Sequence, residues 1–501
     1  MRVAAGDAPR ALRGSGTVVN YGPGTVFFGD DQFVSPDSAD GQLGAGQSTV
    51  INGTLWFVAS GVADVFVAPT AGAVSPGGEL YAPRALAPTT AARETVVSTF
   101  QAGHGFAKGS AAGTQTDDTA EYRLGSQALR MVTAGDGVVA FTQKVNLSPV
   151  VDMTGRFLKV MVRVDDYTRA KELSVYLSSE TPSVAWTNFV KCGVIPTTVP
   201  STPWVTSGDW LTVTLSRGDF TATGTGVTWN AITGIRVRFA DQATGPLTAH
   251  INLISTVPEP ATGIVSLTWD DGWLSQYTLG RLKQDQYRYG ATAYLIADYI
   301  DQKPGYMTSA QLRELRDLHD WEVASHAGTG LVHDARFTSV AGNALEDDMV
   351  TLKRFLLTGG YRAGDHIAYP GGQYDTATVL PIMRRYFTTG RTIFKSNASG
   401  IATSETYPPA DWHRLRAWSL NGTTAAVSTD GPAAVNAAID HAAANKEWLI
   451  LCFHKLVAAR SIPEASTEYL TADFASVVDK IAGTAGVVCK TVGDVVRSGA
   501  A

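Results

Sequence analysis

Two adjacent carboxylates and three histidines are the residues of this chain best suited to chemistry. Ile264-Val265-Ser266-Leu267-Thr268-Trp269 is an apolar, β-branched run that stops at Asp270-Asp271-Gly272-Trp273. Such a run reads as a buried strand closed by a turn. Two carboxylates at its end are costly unless a metal, a base or the turn itself satisfies them. Taken alone, Asp-Asp-Gly is a common turn signal. His326 follows Trp321-Glu322-Val323-Ala324-Ser325, His333 comes soon after, and His454 closes Trp448-Leu449-Ile450-Leu451-Cys452-Phe453. Taken alone, His454 beside Phe453 reads as a satisfied core histidine. Together, carboxylates and histidines can hold a divalent cation and move protons. Residues of these types at successive strand ends are how a β/α barrel assembles a site at one face.

The elements that must position them lie beyond Val257-Pro258-Glu259-Pro260, which reads as a short stiff linker. Strands are expected at Ala291–Ile296, Val323–Ala324, Ile367–Tyr369, Leu449–Phe453 and Val487–Cys489. Helical spacing marks Thr308–Leu318 (with Thr308 as N-cap), Ala344–Leu357, Thr376–Tyr386, Ala434–Asn445 and Asp473–Ala482. That alternation predicts a parallel sheet, closed or nearly closed, over residues 258–501.

The preceding half is all-β. Residues 1–68 carry short strands separated by glycine turns, such as Thr25-Val26-Phe27-Phe28 and Leu55-Trp56-Phe57-Val58, and predict a small β-domain. Its core is marginal at that length, so oligomerisation is a reasonable way to stabilise it. Residues 69–92 are rich in Ala, Pro, Gly and Thr and read as an extended connector. Residues 93–257 hold seven or more expected strands, among them Phe157–Val164, Trp210–Leu215 and Ile235–Phe239, and predict a jelly-roll β-sandwich. Trp186, Trp204, Trp210 and Trp229 offer ring surface to sugars, although tryptophan in a sandwich is more often core.

Composition excludes several classes. Of 501 residues 44% are apolar and 17% charged, which describes an ordered chain of several domains. A formal net charge of −6 without a basic run argues against a nucleic-acid binder. Cys192, Cys452 and Cys489 form neither a disulfide framework nor a Cys-x-x-Cys zinc pattern. No apolar stretch reaches membrane-spanning length, and Met1–Asp7 lack the apolar core of a signal peptide.

Residues of about 262–497 resemble the polysaccharide deacetylase family with the NodB homology domain, carbohydrate esterase family four. The resemblance rests on Thr268-Trp269-Asp270-Asp271-Gly272, Ser325-His326, Tyr369-Pro370-Gly371-Gly372 and Leu451-Cys452-Phe453-His454, in the family's order. It implies a divalent metal, usually zinc, on Asp271, His326 and a second histidine, with Asp270 as general base and His454 as general acid. The family's second histidine lies four residues after the first, where this chain has Gly330. His333 is then the candidate, reached across an inserted glycine loop at 327–332, with Asp334 or no third protein ligand as the alternatives. The arginine that often precedes the family's proline turn is also missing, leaving Arg391 and Arg414 as candidates to orient Asp270. Tyr369, Pro370 and Gly371 are expected at the substrate, with a backbone N–H after the tyrosine or proline as oxyanion donor. Trp412, Trp418 and Leu456 are expected to wall the acetyl pocket.

The sandwich resembles carbohydrate-binding modules, and residues 1–68 resemble small β-domains of bacteriophage tail proteins. The whole then reads as two all-β N-terminal domains followed by an α/β deacetylase-type barrel. The expected activity is removal of N- or O-acetyl groups from a bacterial-surface polysaccharide. The expected setting is a virion tail, as a homo-oligomer (a trimer among the options) with other tail proteins as partners. Secretion is the alternative setting, and the alternative function is a glycan-binding tail adhesin with an inactive barrel.

Overall fold

The computed structural model describes strand backbones within residues 2–69 and then residues 94–194, 206–361, 365–394, 404–420, 431–461 and 467–498. The first strands form one six-stranded antiparallel sheet, with Arg10–Asn20 and Ser48–Ser60 as its long central pair. Beyond Pro69 the connector expected at 69–92 lies outside the described residues, as does Trp204.

Two six-stranded antiparallel sheets make up the sandwich. Arg156–Val164 and Thr248–Pro258 are central to one, Ala170–Ser178 and Gly234–Asp241 to the other. Alternation puts Leu158, Val160 and Val162 of one sheet against Leu173, Val175 and Val237 of the other in a single core. The linker expected at 257–260 is not free-standing. The last sandwich strand runs through Pro258, and Glu259, almost fully buried, pairs with Arg217 at 2.9 Å and with Lys446 at 2.8 Å.

The remaining segment is an eight-stranded sheet, parallel throughout, ordered Thr389–Arg391, His366–Ala368, Glu322–Ala327, Thr292–Ile296, Gly263–Asp271, Trp448–Phe453, Trp418–Ser419, with Val487–Cys489 also on Gly263–Asp271. Backbone bonds from Thr392 and Phe394 to Leu415 and Ala417 join the two ends, so the sheet curls nearly closed. Every residue of Gly263–Asp271 is buried, as a parallel strand covered on both faces requires. Its odd residues Val265, Leu267 and Trp269 face the helices, where Trp269 stacks on Trp321 at 5.9 Å and meets Phe453 and Phe474 at 5.2 and 5.0 Å. Its even residues face inward. The helix expected at Thr308–Leu318 is Ser309–Leu318, with Thr308 as its N-cap and Gln311 completing a reciprocal capping box.

Candidate active site

Alternation decides which side chains reach the site. In Glu322–Ala327, Val323 packs with the helices while Ala324 joins Tyr294 and Ala368 inside the barrel, so His326 points inward too. The same count in Trp448–Phe453 sends Leu449, Leu451 and Phe453 outward and Cys452 and His454 inward. Asp270 follows Ser266 and Thr268 inward. Asp271 should then face the helices beside Trp269, but its φ of 71° breaks the alternation and returns its carboxylate to the site. Asp is one of the few non-glycine residues that tolerates this region, and Gly272 follows with φ 87°.

Asp271, His326 and His333 bring one donor atom each within 4.8 Å of one another. Asp271 Oδ1 lies 3.6 Å from His326 Nε2 and 3.4 Å from His333 Nε2. His326 Nδ1 sits 2.8 Å from the Ala368 carbonyl, which can only accept, so that nitrogen carries the proton and Nε2 presents its lone pair to the site. Burial, only partly opposed by the Asp270 charge, lowers the His326 pKa to about 4 and keeps the ring neutral. For Asp271, burial works against ionisation, but the His333 hydrogen bond and the neighbouring imidazoles hold its carboxyl well below the usual range. A neutral imidazole, a carboxylate and a second imidazole are the donor set a catalytic zinc site uses, and the residues fit the group.

His333 reaches this cluster by a route the sequence did not suggest. Residues 330–335 are not a loop: the strand ends at Ala327, Thr329 caps Val332, and Gly330–Ala335 is a short helix. Asp348 accepts from Gly328 N–H at 2.7 Å and Thr329 Oγ1 at 2.8 Å, while Asp298 accepts from Gly330 N–H at 2.9 Å. These carboxylates fix the turn that delivers the histidine. Any Cβ at Gly330 would meet the Tyr299 ring at 2.4 Å, which keeps this position to glycine while Tyr299 stays in place.

Asp270 is held differently. Arg391, fully buried, puts Nη2 at 2.6 and 2.5 Å from the two carboxylate oxygens. Burial alone would raise the Asp270 pKa, but the guanidinium and the nearby histidines bring it below the usual carboxylate value. His454 Nε2 stands 3.8 Å from Asp270 Oδ2, and its Nδ1 is buried without a partner among the described residues. Asp270, Cys452 and His454 also cluster closely enough to hold a metal. One contact disfavours that set: Arg391 already neutralises Asp270.

Other expected site residues lie elsewhere. Arg414 leaves the site altogether: it pairs with Asp209 of the sandwich and with Asp411 at 3.4 Å. The Tyr369 ring faces the helices, since Ala368 takes the inward position, and its hydroxyl donates to the His413 carbonyl at 2.8 Å. Its N–H donates to Arg391 O at 2.9 Å, and the residue after it, Pro370, has no N–H to offer as the oxyanion donor expected there. Pro370 is buried, and Gly371 takes φ 65° in the turn after Ala368, whose carbonyl is the contact with His326. Trp412 packs on Tyr407 and Trp448 at the amino end of the sheet, away from His454, while Trp418 and Leu456 are core.

Besides Asp298, three further contributors were not singled out from sequence. Trp273 donates its indole N–H to Asp271 Oδ2 at 2.9 Å and stacks on Tyr306 at 4.4 Å. Gln276 donates to Asp270 O at 2.6 Å and His454 O at 3.1 Å, tying two strand ends together. Asp348 is the third. The Asp-Asp-Gly-Trp run was the available signal for Trp273; the other two act across the fold and leave none.

No family model and no curated protein matches the chain. Among solved structures it is similar to the Xyl-CE4 domain of a multidomain xylanase from the hindgut metagenome of Trinervitermes trinervoides, at 15% identity and TM-score 0.30 over 47% of this chain and 90% of that one. It is similar to IcaB from Ammonifex degensii at 20% identity and TM-score 0.25, over 30% of this chain and 64% of that one. A family 11 carbohydrate-binding module from Clostridium thermocellum is matched at 13% identity and TM-score 0.25, over 33% of this chain and 96% of that one. Likeness this distant leaves the chemistry to the side chains: a buried Asp271–His326–His333 ligand set beside an arginine-held carboxylate and a second histidine is what the chain itself brings together.

Proposed function

We propose that the barrel is a metal-dependent hydrolase that removes acetyl groups from a polysaccharide. One observation carries the reading: a three-residue ligand set adjoins an ionised carboxylate that is not part of it. Asp271, His326 and His333 would hold the cation, which supplies Lewis acidity toward the acetyl carbonyl when bound. Asp270, kept ionised by Arg391, accepts the proton of the attacking water. His454, on the other side of Asp270, delivers a proton to the departing amine or alkoxide. Trp273 and the Asp298 and Asp348 carboxylates orient the ligands without touching the reacting atoms.

The wider reading, a virion-tail enzyme acting on a bacterial-surface glycan as a homo-oligomer, is supported by the order of a β-sheet segment, a sandwich and a catalytic barrel. No helix among the described residues is long and apolar enough to cross a membrane. Light scattering coupled to size exclusion tests the oligomer; a monomer contradicts it.

The activity is tested by acetate release from a panel of N- and O-acetylated polysaccharides, with zinc and with chelator. Release that the chelator abolishes and zinc restores is expected. Release unaffected by full removal of metal contradicts the proposal.

A further inference from the structure

The sheet built around Ala170–Ser178 and Gly234–Asp241 turns one face away from the sandwich core. Ile235, Val237 and Phe239 point into that core, so Arg236 and Arg238 share the outer face. In register beside them lie Gln143 and Phe141 on one side and Tyr176 and Ser174 on the other, with Lys191 opposite Tyr176. The Arg236 guanidinium sits between two rings, 4.2 Å from the Phe141 centroid and 4.1 Å from that of Trp186. Its Nε and Nη2 both donate to one neutral oxygen, Gln143 Oε1, at 3.0 and 2.8 Å. Arg238 donates to the Tyr176 hydroxyl at 2.7 Å and meets Glu172 at 3.4 Å, while its Nε is buried without an acceptor among the described residues.

Charge on this face does not balance. Among the described residues, Arg236, Arg238 and Lys191 share it with one carboxylate, Glu172. Glu180, at its margin, is occupied by the backbone N–H groups of Trp186, Thr187 and Asn188 at 2.6, 2.9 and 2.9 Å. Burial, reinforced by the Arg238 charge, lowers the Arg236 pKa to about 10. A guanidinium fork matches a carboxylate, and the apolar C–H face of a sugar matches an aromatic ring.

We propose that this face binds a carboxylate-bearing sugar of a polysaccharide, with Arg236, Arg238 and the exposed Lys191 supplying the positive charge that draws the carboxylate and the partly exposed Trp186 supplying ring surface. The site is independent of the barrel's chemistry. The test is affinity electrophoresis of the full chain in gels containing polygalacturonate, alginate or hyaluronan, with carboxyl-reduced polygalacturonate and double-stranded DNA as comparisons. Retardation by at least one acidic polysaccharide is expected, at least tenfold weaker in the reduced polymer and in DNA. Arg236→Gln and Arg238→Gln should each weaken it at least tenfold, whereas Arg130→Gln on the opposite sheet should not. Should either variant fail to unfold at the wild-type temperature, Lys191→Gln, an exposed substitution on the same face, is expected to weaken retardation severalfold. Absence of retardation in all three acidic polymers overturns the proposal. So does equal retardation by reduced polymer or DNA, or retardation that survives in the folded face variants.

Discussion

Replacing Arg391 by methionine separates the roles of Asp270 more sharply than any change to Asp270 itself. The pair is sealed: the side chains are 0% and 3% exposed and one nitrogen serves both carboxylate oxygens. Solvent screening is therefore nearly absent, and methionine of similar length leaves a buried carboxylate uncompensated. Breaking such a pair costs about 3–5 kcal/mol. For a barrel of this size that lowers the melting temperature by roughly 6–20 °C. The sign for ionisation follows from the same contact. In the wild type the Asp270 pKa is held down, so its ionised form stabilises the fold above the ordinary carboxylate pKa, and that contribution is lost as pH falls through the lowered value. Without the guanidinium, burial dominates and the pKa rises. Acetate release by Arg391→Met should then fall most at low pH and recover in part at high pH, with its acid limb displaced upward. Adding Asp270→Asn should restore much of the lost stability while leaving no activity, because both charges are then gone. An acid limb unmoved in Arg391→Met, or a double variant no more stable than the single one, refutes the argument.

Further outcomes follow from other contacts. Trp273→Phe keeps the ring on Tyr306 but removes the donor to Asp271, and should weaken zinc binding about 10–100-fold in a chelator competition with little change in melting temperature. Gly330→Ala sets a methyl against Tyr299 and should cost about 1–3 kcal/mol by denaturant unfolding, with zinc affinity falling alongside as His333 is displaced. His441, hydrogen-bonded to Glu447 at 3.0 Å, has its pKa raised from 6.5 to about 9 by that bond against some opposing burial. Its contribution is complete below pH 6.5 and is lost as pH rises through about 9, so the melting temperature should decline across that window and His441→Gln should flatten the decline.

Much of the site was legible because its residues end strands that the apolar runs declare. Asp270, Asp271, His326 and His454 needed only the strand boundaries and the types of the residues there. His333 was reachable as a candidate, but not the helix that carries it, since the Asp298 and Asp348 carboxylates that fix its first turn come from distant segments. Arg391 and Arg414 look alike in sequence; sheet register alone aims one at Asp270 and the other at Asp209 of the sandwich. Tyr369 was misplaced by one position of alternation, which inverts a side chain, and Trp412 by a chain that returns to the wrong end of the sheet. The turn of Asp271 back into the site is a matter of one dihedral, φ 71°, that neither composition nor spacing encodes.

The central claim is that Asp271, His326 and His333 hold one cation on which acetyl hydrolysis depends. It is tested by titrating metal-free protein with zinc while measuring bound metal and acetate release together, in the wild type, Asp271→Ala and His333→Ala. Activity that rises with bound zinc and levels off at one equivalent per chain is predicted, with tight binding and release both lost in the two variants. Full activity at no bound zinc, or either variant binding and turning over like the wild type, would contradict it.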